Sequence, residues 1–387
     1  VAAAAAAALP EGEGGQPVDI RDTGSGRVWR VALGGGRLLA LKLASAQAPL
    51  GGELRTLRWL AQRAAPVPAV LAADGAPQPD WLALEWCGDS TLDDALQGAA
   101  APGTVTPGAA GRGAAAGDAG WGEGGKRLVR AVAALEGAFW PISAGARRRP
   151  EWDQQVAALR AQAGPWLAAA PQALAWLLQG RTGGGTGEGG GADALRRTVA
   201  LALGGEPDVG SLDYNARNVV LDEAGGRVTL VDFAATGVDW PERRLVQYAT
   251  ATGAAPGNTP LGAGAGAAPG GGQGGTFRSA LTAEAVRDYA ALVAPRRGTG
   301  PATVVAAVDA HEVLLLLLAA VGLRAVEAGA AHPERARAWS DIQGRRAALL
   351  ALLRRPLSER GPAAGVRAAV RAAGAPSPSA PSVGGSG

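Results

Sequence analysis

Apolar and polar residues alternate early in this chain. Val28-Trp29-Arg30-Val31-Ala32-Leu33, a Gly34-Gly35-Gly36 turn and Arg37-Leu38-Leu39-Ala40-Leu41-Lys42-Leu43 predict a β-hairpin. From Gly52 the period changes: Leu54, Leu57, Leu60, Ala61 and Ala64 share one helical face, and the helix should end before Pro66. Another strand is expected at Trp81 to Trp86. Leu128, Val132 and Leu135, then Val156, Leu159, Leu174 and Leu177, carry helical spacing. Two β-branched runs follow around a Gly225-Gly226 turn, and the chain closes helical with the Leu314 to Leu318 run at its centre. The expectation is an α+β fold of two lobes, a small antiparallel sheet before a larger helical part that carries its own hairpin.

Four patches interrupt this periodicity: 98–125, 181–192, 252–275 and 374–387. All are rich in Gly, Ala, Ser, Thr or Pro and poor in bulky apolar side chains, so they are expected as insertions and a tail. The resulting organisation is a tail at 1–16, a first lobe at 17–87, a helical lobe at 88–373 and a tail at 374–387.

Composition narrows the function classes. Lys and Arg number 37 against 34 Asp and Glu, a weak surplus that does not favour nucleic acid as a partner. One cysteine excludes an intrachain disulfide, and two histidines exclude a three-histidine zinc site, so a reducing, cytoplasmic setting is expected. The apolar stretch Val304 to Leu323 contains Asp309, His311, Glu312 and Gly322, which predicts a buried helix instead of a membrane span. The sequence contains no methionine, so the true start is expected to be missing, and Val1 to Leu9 lacks the basic flank of a targeting signal.

Candidate chemistry concentrates in Ser211-Leu212-Asp213-Tyr214-Asn215-Ala216-Arg217-Asn218-Val219-Val220-Leu221-Asp222 and the returning strand through Val231-Asp232-Phe233. Asn218 and Asp232 are equidistant from residue 225, which would set them opposite one another with Cα atoms about 5 Å apart. Asp213 lies on the loop entering the same end. A carboxamide facing a carboxylate suits a hard cation such as Mg²⁺, and a second carboxylate can orient or deprotonate a hydroxyl. Asp and Asn are also ordinary turn residues. Against that reading, two of the three asparagines in the chain, Asn215 and Asn218, fall in this one loop.

Lysine is as selective. Only Lys42 and Lys126 occur among the 37 basic residues, and Lys42 sits in an otherwise apolar strand where an unpaired charge is costly. A compact ammonium can bridge two phosphates and also meet a carboxylate, and Glu53 in the next helix is the nearest candidate. An edge strand with a solvated lysine is the alternative. Thr23-Gly24-Ser25-Gly26, before the hairpin, could lay backbone N–H groups over phosphates.

In this order, these residues resemble the small-molecule kinases of the protein-kinase-like fold, the aminoglycoside phosphotransferase and choline kinase group. The resemblance runs from about Val18 to Ala251. It implies ATP and Mg²⁺ as cofactors, with Gly24, Ser25 and Gly26 covering the nucleotide, Lys42 on its phosphates and Glu53 as the partner of that lysine. It further implies adenine against the backbone of Glu85 to Cys87, Asp213 as the catalytic base, and Asn218 and Asp232 as metal ligands, acting on a hydroxyl of a small molecule. Three positions depart from the pattern: Ser211 where the family has histidine, Ala234 where glycine is usual, and Arg244 where aspartate is common.

A protein kinase or an inactive nucleotide-binding relative would share much of this machinery. Only eight residues separate Asp232 from Pro241, too few for a peptide-binding segment. No Gly-x-Ser-x-Gly elbow or Walker loop occurs. Cys87 reads as a small buried hydrophobe and His311 as a packed histidine. Asp309, Glu312, Glu327 and Asp341 could form an acidic wall for a cationic acceptor, or could be solvated helix faces.

Overall fold

The computed structural model describes residues 17–23, 27–75, 77–98, 121–179, 188–222, 226–253 and 276–373. It is an α+β protein with an antiparallel sheet at the N-terminal end and a helical C-terminal part. Strands β1 (Pro17–Asp22), β2 (Val28–Leu33) and β3 (Leu38–Leu43) are followed by helix α1 (Gly51–Ala61). Strands β4 (Val70–Ala73) and β5 (Trp81–Glu85) complete a five-stranded sheet in the order β1-β2-β3-β5-β4. Alternation divides β3: Leu39 and Leu41 pack with Val31, Leu33 and Ala83 on one face, leaving Ala40 and Lys42 on the face toward α1. β3 is the central strand of the sheet, which removes the edge-strand reading of Lys42.

Beyond the sheet come β6 (Ser90–Thr91), α2 (Leu92–Gly98), α3 (Gly122–Ala146), α4 (Glu151–Leu178) and α5 (Glu188–Gly204). The next segment holds β7 (Asp208–Ser211), a 3-10 turn at Ala216–Asn218, β8 (Val219–Asp222), β9 (Arg227–Leu230) and β10 (Thr236–Asp239). Then follow α6 (Pro241–Tyr248), β11 (Thr250–Ala251), β12 (Arg278–Ser279), α7 (Ala283–Arg297), α8 (Pro301–Glu327), α9 (Pro333–Ala338), α10 (Ile342–Arg354) and α11 (Pro362–Ala372). One hydrophobic core joins the two parts: Leu54, Leu57 and Leu60 of α1 share it with Leu82 and Leu84 of β5 and with Leu128, Val132 and Leu135 of α3. Leu230 N–H donates to Pro66 O at 2.8 Å, tying β9 to the segment after α1. These contacts hold the Lys42 face of the sheet against the β8–β9 hairpin.

Two expected insertions are shorter than their composition implied. Gly122–Gly125 already belongs to α3, and Gly125 is buried where a Cβ would collide with the Ala280 carbonyl, so this glycine permits close packing. Glu188–Gly191 likewise opens α5, whose Gly191 and Ala194 approach Ala369 and Gly365 of α11. Small residues serve close helix contact here, which composition alone cannot distinguish from linker. Residues 99–120, 180–187, 254–275 and 374–387 lie outside the described residues.

Helix α8 is long and apolar enough to cross a membrane by length and composition, but its central turns are buried inside the protein. Asp309 and Glu312 face α11, where Arg367 Nε donates to Asp309 Oδ1 at 2.7 Å and Nη2 to Glu312 Oε2 at 2.5 Å. Arg355 also pairs with Glu312 at 2.9 Å, and Arg367 Nη1 donates to Leu352 O at 2.8 Å. Removing one member of such a buried network strands the others. Arg367→Met is therefore expected to lower unfolding free energy by about 3–5 kcal/mol in urea denaturation, with part recovered when Asp309→Asn and Glu312→Gln are added.

Candidate active site

Lys42 connects the sheet to the helical part. Its Nζ lies 2.8 Å from Glu53 Oε1 and 2.9 Å from Asp232 Oδ1, and Lys42 and Glu53 are only 7% and 1% exposed. Burial alone would lower the Lys42 pKa, but Glu53 and Asp232 outweigh it and raise the ammonium above its ordinary value. Glu53 occupies the first turn of α1, where the helix dipole also favours a negative charge.

The hairpin register differs from the equidistance expectation by one residue. β8 and β9 pair Val219 with Leu230 and Leu221 with Val228, so Asn218 faces Val231, whose N–H donates to Asn218 O at 2.9 Å. Counting from residue 225 assumed a symmetric turn; the real centre falls between 224 and 225. Asp232 is thus one residue past the ladder, and its φ of 64° places it in the left-handed region. That local twist breaks the strand alternation and swings its carboxylate to Lys42. Burial pushes the Asp232 pKa up, while the attraction of Lys42 and bonds from Asp213 and Ala234 bring it below the usual carboxylate range.

Asp213 is held by its own loop. Asn215 Nδ2 donates to Asp213 Oδ1 at 2.9 Å, and Asn218 Nδ2 donates to Asp213 O at 2.8 Å. Asn215 Oδ1 also accepts from Arg217 and Asn218 N–H groups at 3.0 and 3.2 Å, capping the 3-10 turn. Burial, and after it the charge of the adjacent Asp232 carboxylate, push the Asp213 pKa up to about 6. Lys42, Glu53, Asp232, Asp213 and Asn218 therefore form one connected cluster, drawn from residues as much as 190 positions apart. Asn215 was visible in the sequence only as a rare residue type; its cap explains its presence.

Gly24, Ser25 and Gly26 lie outside the described residues, although the flanking Thr23 donates through Oγ1 to Val28 O at 2.8 Å. Glu85 turns its side chain to Arg227 at 2.6 Å and its N–H to Ala69 O at 2.9 Å, and Cys87 Sγ approaches Glu85 O at 3.5 Å. Burial, reinforced by Glu85, raises the Cys87 thiol to about 11, so it stays protonated. His311 is buried beside Trp240, with ring centroids 5.9 Å apart, and burial lowers its pKa to about 4.

The acidic wall is not formed. Asp309 and Glu312 are neutralised by Arg367 and Arg355, Glu327 Oε2 accepts from Trp176 Nε1 at 2.7 Å, and Asp341 Oδ1 caps α10 through Gly344 N–H at 2.9 Å. Each carboxylate already has an internal partner, which helix periodicity did not disclose.

A model of the phosphotransferase enzyme family matches residues 19–277, more than half of the chain. The chain belongs to that family. Among solved structures, this phosphotransferase is similar to the aminoglycoside-3'-phosphotransferase of type VIII, with 22% identity over 62% of this chain and 77% of that one and a TM-score of 0.32. It is also similar to a choline/ethanolamine kinase family protein from Mesorhizobium loti, with 16% identity, 90% and 92% coverage and a TM-score of 0.41. An aminoglycoside phosphotransferase from Alicyclobacillus acidocaldarius gives 12%, 89%, 95% and 0.44 respectively. No curated protein matches it.

Where this phosphotransferase departs from the family pattern, other contacts take over. Ser211 is fully buried, accepts the Asp213 N–H at 3.2 Å and lies near the buried Tyr248 hydroxyl. Arg244 is also buried and donates to the carbonyls of Asp208 and Asp239 at 2.7 and 2.9 Å, clamping the far end of the β7–β10 ladder. Gly210 makes room for it, since a Cβ there would collide with the guanidinium. Arg244→Met leaves both carbonyls without their charged donor and is expected to cost about 1–3 kcal/mol, read as a lower urea midpoint at unchanged m.

Proposed function

We propose that this phosphotransferase is an ATP-dependent kinase that phosphorylates a hydroxyl of a small molecule. The observation that carries the reading is the Lys42–Glu53 and Lys42–Asp232 pairing at 2.8 and 2.9 Å, with Asp213 close enough for the same Asp232 carboxylate to raise its pKa. Lys42, fixed by Glu53, would hold the nucleotide phosphates. Gly24, Ser25 and Gly26 would cover them, and the backbone between Glu85 and Cys87 would receive adenine. Asp213 would orient the acceptor hydroxyl and take its proton as the bond to phosphorus forms.

The donor set fits a divalent cation. Burial and, after it, repulsion from the Asp232 carboxylate raise the Asp213 pKa, and a cation beside Asp232 would relieve that repulsion. Asn218 uses its amide nitrogen on Asp213 O, which leaves its side-chain oxygen available as a ligand. Among the described residues no group of three His, Cys, Asp or Glu side chains could hold an ion. Such a sparse set suits Mg²⁺, which keeps waters and takes substrate phosphate oxygens. When bound, Mg²⁺ supplies charge neutralisation to the transferring phosphoryl group.

A small acceptor is favoured over a protein because β10 begins at Thr236, four residues after Asp232, and α6 begins at Pro241. No long platform for a peptide intervenes. A screen of Mg²⁺-dependent ATP consumption over hydroxylated amines, amino sugars, sugars and a generic protein acceptor tests the reading. Turnover with a small alcohol is the expected result, and phosphorylation of the protein alone would overturn it.

A further inference from the structure

Against the β7–β10 ladder lies a cavity of about 440 Å³, walled by Ile142, Trp152, Val209 and Val238, with Arg149 and Glu151 at its rim. That volume falls in the range of small-molecule sites, about 300–1,000 Å³. Ile142, on the α3 side, is 40% exposed, and Leu212, immediately before Asp213, is 39% exposed; they are two of five large apolar side chains left so open among the described residues. Gly237 joins them. It lines the cavity, and a Cβ at that position would come within 2.7 Å of Leu212 Cδ1, so the cavity wall abuts the Leu212 side chain. An apolar surface thus runs from the cavity to the residue beside the proposed base.

Charge is balanced along this path. Arg149 and Glu151 offset one another, and the neighbouring Arg147 is committed to Glu206 and Asp208. The carboxylates that the sequence offered for an acidic wall, Asp309, Glu312, Glu327 and Asp341, are all engaged elsewhere. Resting on the kinase reading above, we infer that this cavity seats the acceptor and that the acceptor is an uncharged alcohol with an apolar body. Its apolar part would lie on Ile142, Val209 and Val238 and pass Leu212, bringing the hydroxyl to Asp213.

The test compares three probes with the full chain and Mg·ATP: octyl β-glucoside below its micellar concentration, glucose, and kanamycin. Octyl β-glucoside shares the hydroxylated head of glucose and adds apolar area alone, so its KM should be at least about tenfold lower. Kanamycin should give no stimulation of ADP release. Ile142→Asp, at an exposed position that tolerates a polar side chain, should raise the KM for octyl β-glucoside at least about tenfold while the KM for glucose changes far less. Equal KM values for octyl β-glucoside and glucose, preferred turnover of kanamycin, or equal effects of Ile142→Asp on both sugars would overturn the inference. Magnesium-dependent ATP binding by the wild-type chain, measured alongside, separates the failures. If Mg·ATP binds and the octyl group brings no advantage, the acceptor assignment fails alone; if Mg·ATP does not bind, the kinase reading fails with it.

Discussion

Asp213→Asn is expected to lower turnover by about a thousandfold while Mg·ATP affinity stays within about threefold. The asymmetry follows from the contacts. Asn at 213 keeps an oxygen for the Asn215 amide and the backbone carbonyl that Asn218 bonds, so the loop survives and only the proton acceptor is lost. The pKa of about 6 adds a pH signature. The carboxylate must be ionised to accept a proton, so kcat/KM of the wild type should rise with pH toward about 6 and level above it. Stability runs the other way. A carboxyl whose folded pKa exceeds its unfolded value favours the fold below the unfolded pKa, and that contribution is lost as pH rises through about 6. Asp213→Asn should therefore raise stability at pH 8 by about 1–2 kcal/mol, allowing for partial solvent exposure. An inactive variant that melts at a higher temperature than the wild type would be the combined result.

Asp232→Asn is expected to abolish the magnesium-dependent part of nucleotide binding, raising the Kd for ATP about a hundredfold or more in calorimetric titration. Asn is the informative replacement because Asp232 has a φ of 64°, a conformation that Asn adopts at less cost than Ala. The substitution removes charge and leaves the backbone twist. It also takes one of two counter-charges from the buried Lys42, whose Glu53 partner remains. A second consequence concerns Asp213: with the Asp232 charge gone, its pKa should fall toward the ordinary carboxylate value, as NMR titration of the carboxyl carbon would record.

Much of this site was legible because chemistry-bearing residues are scarce in the chain. A lone lysine in an apolar strand, paired asparagines in one loop and an aspartate at each end of a hairpin stand out against abundant Ala, Gly and Arg. The β2–β3 hairpin and α1 were legible because periods of two and 3.6 are unambiguous there. The Asn218–Asp232 register was not, because a one-residue shift in pairing register is invisible in the pattern, and the left-handed backbone at Asp232 compensates for it only in three dimensions. Buried arginines were illegible for a different reason. Nothing in the pattern marks Arg244, Arg345 and Arg367 as interior, yet each is buried and donates to backbone carbonyls or carboxylates. Neither the acidic wall nor the solvated helix faces hold for Asp309 and Glu312, whose arginine partners lie more than 40 positions away on or beside other elements.

Arg244 and Ser211 bear on whether the family machinery still works here. Sequence alone marked both as departures from the family pattern. In the fold, Ser211 accepts the Asp213 N–H and Arg244 locks the strands beside it, so the two departures leave the loop that carries Asp213 anchored. This arrangement favours an active enzyme over a binding module.

The most direct measurement is magnesium-dependent release of ADP from ATP by the wild-type chain and by Asp213→Asn, in parallel and with a hydroxylated small molecule present. Release by the wild type, its loss on chelation of Mg²⁺ and its collapse in the variant while ATP remains bound are what the clustered Lys42, Asp213, Asn218 and Asp232 require. Equal rates for the two proteins, or ATP bound tightly by the wild type with no release for any small alcohol, would contradict it.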